Sequence, residues 1–191
     1  MIVVPGITAT FLRDQYPLTP EEVWTVLGKD YERAILHPND LRYEAKEPAR
    51  LVPEQIFQVA YKELIEELRH NLREKKDLEV PVYPFGYDWR MPLRETELQL
   101  DRFIDEVIAR TKLMKHYHKA GYSENPKVNL IGHSMGGLII SGYLDRKGKE
   151  APVNKVATLA TPYQGSFEAV IKVATGTANL GTSPPSSRER E

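Results

Sequence analysis

Apolar positions in this chain fall into two alternating rhythms. Ile2 to Val4 form a short, wholly apolar run that stops at Pro5-Gly6, which predicts a buried strand. After mixed residues comes a helical stripe. From Pro53 to about Lys76, the residues Phe57, Tyr61, Leu64, Leu68 and Leu72 recur at helix spacing among Glu, Lys and Arg, with Pro53 suited to the first turn. Leu78 to Phe85 carries Val80, Val82 and Tyr83 and predicts a second strand. A second amphipathic helix follows from about Leu93 to His118, with Leu100, Ile104, Val107, Ile108 and Thr111 facing inward and Gly121 as its C-terminal cap. Val128 to Ile131 is strand-like, an apolar helix then runs to about Arg146, and Val153 to Ala160 is a last strand. Strands alternating with helices predict an α/β fold, a mostly parallel sheet with helices on both faces.

Two stretches escape this rhythm. Residues 11–52 are mixed and proline-bearing, and read as a long excursion with short helices, including one from Pro20 to Leu27; lid or cap elements are expected there. Residues 181–191 offer no apolar side chain to anchor a core element and read as a flexible tail or truncated linker. Residues 1–180 are thus expected to form one core domain.

Composition narrows the function. A chain of 191 residues is long enough for one domain with a real core. The net charge of −1 gives no electrostatic case for nucleic acid. The absence of cysteine removes disulfides, thiolate catalysis and cysteine-based zinc sites, and neither a cofactor nor a metal is expected. Met1 to Gly6 is too short an apolar run for a signal peptide and lacks a basic leader, and no stretch has the length of a membrane span. A cytoplasmic location is the expectation.

The chemistry sits where strand meets helix. Val128 to Gly137 reads Val-Asn-Leu-Ile-Gly-His-Ser-Met-Gly-Gly. A bare Gly-x-Ser-x-Gly arises by chance in about one chain in fifteen of this length. A strand before it and a continuous apolar run after it make this the nucleophile elbow of an α/β-hydrolase. The spacing has a physical reason. A serine hydroxyl must project clear of the backbone to meet a bulky ester, and a sharp turn does this at the cost of crowding. Gly132 and Gly136 stand where side chains would collide, and Gly137 gives the helix room to pack. Ser134 is then the candidate nucleophile, and the Met135 amide the first oxyanion donor. The second donor comes from the loop after an early strand, here Pro5-Gly6-Ile7-Thr8, with Ile7 N–H the candidate. His133 neighbours Ser134 but points away, as a packing or hydrogen-bonding residue.

Together these segments carry a resemblance. Val4-Pro5-Gly6-Ile7, then Pro84-Phe85-Gly86-Tyr87-Asp88-Trp89-Arg90, then Gly132-His133-Ser134-Met135-Gly136-Gly137, and later Thr158-Leu159-Ala160-Thr161-Pro162-Tyr163-Gln164-Gly165, stand in the order seen in the lecithin:cholesterol acyltransferase family. The chain resembles the N-terminal portion of that family. The resemblance implies a serine acyl-ester enzyme of lipid metabolism, an O-acyltransferase or a lipase or phospholipase, with Ser134 forming the acyl-enzyme. It implies Ile7 and Met135 as oxyanion hole, a structural ion pair between Asp88 and Arg90, and Trp89 near the acyl or lid region. A lipid or other acyl ester is the expected substrate, with transient contact at a membrane surface.

One departure is large. Such folds carry Ser, then Asp or Glu, then His, but His37, His70, His116, His118 and His133 all precede Ser134, and Asp145 is the only aspartate after it. Two explanations follow. The chain is a truncated form of a longer enzyme, with a fold incomplete at the C-terminus and an exposed sheet edge through which it could form oligomers. Alternatively, it is a non-catalytic acyl-binding or interaction domain. The intact elbow and the unanchored tail favour the first.

Overall fold

Ile2–Val4 forms strand β1, and all three side chains are buried. In the computed structural model, the structure describes residues 1–25, 28, 31–34, 50–73, 75 and 78–175. β1 pairs in parallel with β5 (Tyr83–Pro84) on one side and β6 (Val128–His133) on the other. β6 pairs in parallel with β7 (Val153–Leu159), so the sheet order is β5-β1-β6-β7. The fold is α/β with a parallel sheet.

Helices cover both faces, as the side-chain alternation of the strands requires. Ile2, Val4, Val128 and Leu130 pack against α3 (Leu93–Leu113) through Leu100, Ile104 and Val107, and against α5 (Met135–Lys147) through Ile139, Ile140 and Tyr143. On the opposite face, Val3 and Ile131 meet Tyr61, Leu64, Ile65 and Leu68 of α2 (Gln58–Asn71). Burying one such aliphatic side chain contributes roughly 1.5–3 kcal/mol.

The excursion differs from its expectation. Its described part is a second, antiparallel sheet, ordered β3-β2-β4, made of β2 (Thr10–Asp14), β3 (Glu21–Trp24) and β4 (Leu51–Ile56). Pro20 followed by two acidic residues imitates a helix start. Pairing with β2 instead buries Val23 and Trp24 against Leu12, and this tertiary gain outweighs the local signal. Pro53 lies within β4 and not in a helix; β4 is an edge strand, where a missing N–H is tolerated. Among the excursion's described residues, one helical turn is present, α1 (Tyr31–Ala34). Residues 35–49, on which part of the expected lid or cap falls, and the expected tail at 181–191 lie outside the described residues.

Two smaller differences have causes of their own. Only Tyr83–Pro84 of the expected strand from Leu78 pairs with β1, and Pro81 and Pro84 lack the N–H that a longer ladder needs. The second long helix ends at Leu113. Met114 adopts an extended conformation, and Lys115–Lys119 forms a separate short helix, α4. The buried stripe of α3 ends at Thr111, so nothing holds a further turn to the sheet. After β7, Phe167–Thr175 forms α6.

Candidate active site

Ser134 stands at the C-terminal end of β6, between His133 of the strand and Met135 of α5. Its backbone has φ 51° and ψ −124°, a region that residues with a side chain avoid. Such a conformation costs about 1–3 kcal/mol and persists only where the surroundings hold it. Here the Ser134 N–H donates to Leu159 O at 2.8 Å, and its carbonyl accepts from Gly137 N–H at 3.0 Å.

The glycines meet what the spacing predicts. A Cβ at Gly132 would stand 2.7 Å from Gly137 Cα and 2.8 Å from Ile140 Cδ1. One at Gly136 would overlap the Val4 carbonyl and stand 2.6 Å from Pro5 O, and one at Gly137 would collide with Thr161. The missing side chains therefore let α5 start directly against the end of β1. Met135 N–H is the first amide of α5, among those a helix leaves without an intrahelical acceptor.

The loop after β1 reaches the same point. A Cβ at Gly6 would stand 3.2 Å from Ser134 Cβ and 3.3 Å from His133 Nδ1. Ala9 N–H returns to Gly6 O at 3.4 Å, closing a turn with Ile7 and Thr8 at its corners, and Thr8 has φ 62°. The Ile7 side chain is exposed and Ser134 is half-buried. A cavity of about 350 Å³ beside Tyr61 and a groove of about 750 Å³ at the opposite end of β6 lie nearby, and neither is lined by Ser134.

His133 turns to the α2 face of the sheet. Its Nδ1 lies 2.8 Å from the Tyr61 hydroxyl, and the two rings meet edge-on. His116 bonds Glu79 O, before the start of β5, and so belongs to the far end of the sheet from Ser134. His37 lies outside the described residues. The sequence pattern had left Tyr61 as one apolar residue of a helical stripe. Its hydroxyl accepts Gly6 N–H at 2.9 Å, while the Tyr87 hydroxyl donates to Pro5 O at 2.9 Å. Stripe periodicity cannot reveal a contact made by the polar tip of a core tyrosine with a loop 55 residues away.

The Asp88-Trp89-Arg90 string is structural. Asp88 and Arg90 form a two-pronged pair, with Nε to Oδ1 at 2.9 Å and the second prong at 2.6 Å, and both side chains are nearly buried. Trp89 stacks at a tilt on Trp24, centroids 4.8 Å apart, and Trp24 Nε1 donates to Thr8 O at 2.9 Å. The second sheet thereby braces the loop that carries Ile7. Among the described residues no helix is long and apolar enough to cross a membrane.

Comparison with known proteins bears on the family and the fold. "Lecithin-cholesterol acyltransferase-like 4" of Arabidopsis thaliana is 25% identical over 197 aligned residues, covering 87% of this chain and 34% of that protein. "Phospholipase A(1) LCAT3", also of Arabidopsis thaliana, is 37% identical over 89 residues, 44% of this chain and 17% of that protein. The chain thus spans about a third and about a sixth of these curated relatives. A chain in the crystal structure of the Tle4–Tli4 complex superposes with a TM-score of 0.63 at 17% identity, over 95% of this chain and 48% of its own length, a likeness of fold. The profile of the lecithin:cholesterol acyltransferase family matches residues 52–185, more than half of the sequence, and the chain belongs to that family.

Proposed function

We propose that this chain carries the nucleophile and oxyanion hole of a serine acyl-ester enzyme acting on lipid esters. The observation that carries the reading is Ser134. A strained, half-buried serine sits at a strand-to-helix turn, with a second backbone loop pressed against its Cβ. Strain without function is a cost that folding alone gives no reason to keep.

In this reading Ser134 Oγ attacks the ester carbonyl carbon. A C–O bond forms, the hydroxyl proton passes to a general base, and the carbonyl oxygen becomes an oxyanion held by the Ile7 and Met135 amides. Collapse of the adduct breaks the bond to the leaving alcohol, which takes the proton, and leaves an acyl-enzyme. Water or a second alcohol then accepts the acyl group. The two relatives' names span both outcomes, phospholipase and acyltransferase. His133 is engaged by Tyr61, and no histidine follows Ser134. The reading therefore assigns the base to a histidine contributed by polypeptide outside these residues. It places that polypeptide along the outer edge of β7, where Val156 and Leu159 are exposed and α6 presents Phe167 and Val173. The same edge is where copies of the chain would pair, and contact with a lipid surface follows from the substrate.

An alkyl fluorophosphonate, given with excess free imidazole to stand in for the base, tests the assignment directly. Intact mass and peptide mapping should find one adduct, on Ser134, absent from Ser134→Ala. Turnover of short p-nitrophenyl esters should stay low, since oxyanion stabilisation alone leaves about 10³–10⁴ over water. Scattered labelling, or labelling unchanged in Ser134→Ala, would refute the nucleophile.

A further inference from the structure

The carbonyl of Pro5 and the N–H of Gly6 belong to one peptide unit, planar and trans. Its two polar ends therefore point in opposite directions, and each meets a different buried tyrosine. Tyr87 donates to the oxygen at 2.9 Å and Tyr61 accepts from the nitrogen at 2.9 Å. Tyr87 stands just after β5, and Tyr61 on α2. The plane is held from both sides by elements that are themselves packed in the core.

The consequence falls on the next peptide unit. Gly6 O accepts from Ala9 N–H within the turn. Ile7 N–H, on the other end of that plane, is directed away from Ala9. With the Pro5–Gly6 plane fixed, the rotation that decides where Ile7 N–H points is confined to the bonds about Gly6 Cα. Gly6 is the residue lying against Ser134 Cβ. A glycine is the freest residue in the chain, and a donor set on it has to be held by something else.

We infer that Tyr61 and Tyr87 are positioning residues that clamp the Pro5–Gly6 peptide and so hold the Ile7 amide in place for the oxyanion. This inference rests on the reading of Ser134 as nucleophile. The clamp reaches the elbow as well. The Tyr61 oxygen that accepts from Gly6 N–H also lies 2.8 Å from His133 Nδ1. The elbow and the oxyanion loop are thus joined through one hydroxyl, between Gly6 N–H and the His133 ring.

The test uses the whole chain and three variants, Tyr61→Phe, Tyr87→Phe and the double. Each keeps the ring that fills the core and removes only the clamp. With free imidazole again standing in for the base, labelling of Ser134 by an alkyl fluorophosphonate should slow about 10-fold in either single variant, as expected for a displaced donor. The double variant should lose less than the product of the two, because one freed end already lets the plane pivot. In the wild-type adduct the Ile7 amide proton should move downfield, and in the variants that shift should shrink. The ¹⁵N signal of His133 Nδ1 should shift in Tyr61→Phe, which removes its hydrogen-bond partner, and stay in place in Tyr87→Phe, a pattern that a space-filling role for Tyr61 would not produce. Labelling of both single variants at the wild-type rate with an unchanged Ile7 shift overturns the clamp and leaves the nucleophile standing. An unlabelled Ser134 in wild type overturns the site reading and the clamp with it.

Discussion

Ser134 concentrates the stress of the elbow in one residue. Its φ of 51° is one that glycine adopts freely and serine does not. Relieving it should be measurable without any chemistry. Ser134→Gly should be more stable than Ser134→Ala by about 1 kcal/mol, since alanine keeps the strain and glycine does not. Denaturant unfolding of the two variants checks this, and equal midpoints with equal slopes would mean that the backbone relaxes. The neighbouring glycines act by absence, and Asp88 with Arg90 by pairing. A buried carboxylate without its guanidinium, or the reverse, is far costlier than the intact pair. Local spacing made Gly132, Ser134, Gly136 and Gly137 legible, because an elbow is built from consecutive residues. Tyr61 was legible only as an apolar position, because its hydroxyl partner is remote in the chain.

At the scale of elements, strand position in the sheet decides exposure. Among the described residues, β6 has a strand on each side, whereas β7 lies at an edge. All residues of β7 after Val153 are exposed, although Val156 and Leu159 are apolar. An uncovered apolar edge invites pairing with another strand. Amides of Leu130 and Ile131 should exchange with solvent orders of magnitude more slowly than those of residues 155–158 in dilute protein. Raising the protein concentration should slow exchange in β7 selectively if copies pair there. Uniform strong protection of β7 at every concentration, in a sedimenting monomer, would show that the edge is already covered. The elements that the amino-acid pattern misassigned share one cause. The stretches after Pro20 and Pro53 carry helix-start signals, but β2 pulls Glu21–Trp24 and Leu51–Ile56 into strands.

Across the whole molecule, buried phenols couple stability to alkaline pH. Burial, and then the nearby Tyr61, raises the Tyr87 hydroxyl well above its ordinary value of 10.0. Burial, aided by Asp101 and Asp105, raises Tyr143 to about 12. A phenol raised in the folded state favours its neutral form there. The stability it contributes is complete below pH 10.0 and is lost as the pH climbs through the folded value. Unfolding free energy should therefore fall between pH 10.0 and about 12, and late-titrating tyrosines should ionise only as the fold opens. Tyr143→Phe should flatten part of that slope. It should cost little at neutral pH, because the Tyr143 hydroxyl is buried without a hydrogen-bond partner among the described residues. Stability flat to pH 12 would contradict the burial of these phenols.

By itself the sequence determined the alternation of strands and helices, the parallel sheet, and the strand-to-helix turn at Ser134. Each is written in residues close together in the chain, where side-chain period and backbone sterics act locally. The resemblance of four ordered segments pointed to the family in the same way. Tertiary structure alone decided the rest. It turned the described part of the excursion into an antiparallel sheet, stopped α3 at Leu113, placed β7 at an edge of the main sheet among the described residues, and set two core tyrosines on either end of the Pro5–Gly6 peptide. The physical reason is the same in each case. These outcomes depend on which distant surfaces meet, and the free energy of that meeting exceeds any local preference the chain can express.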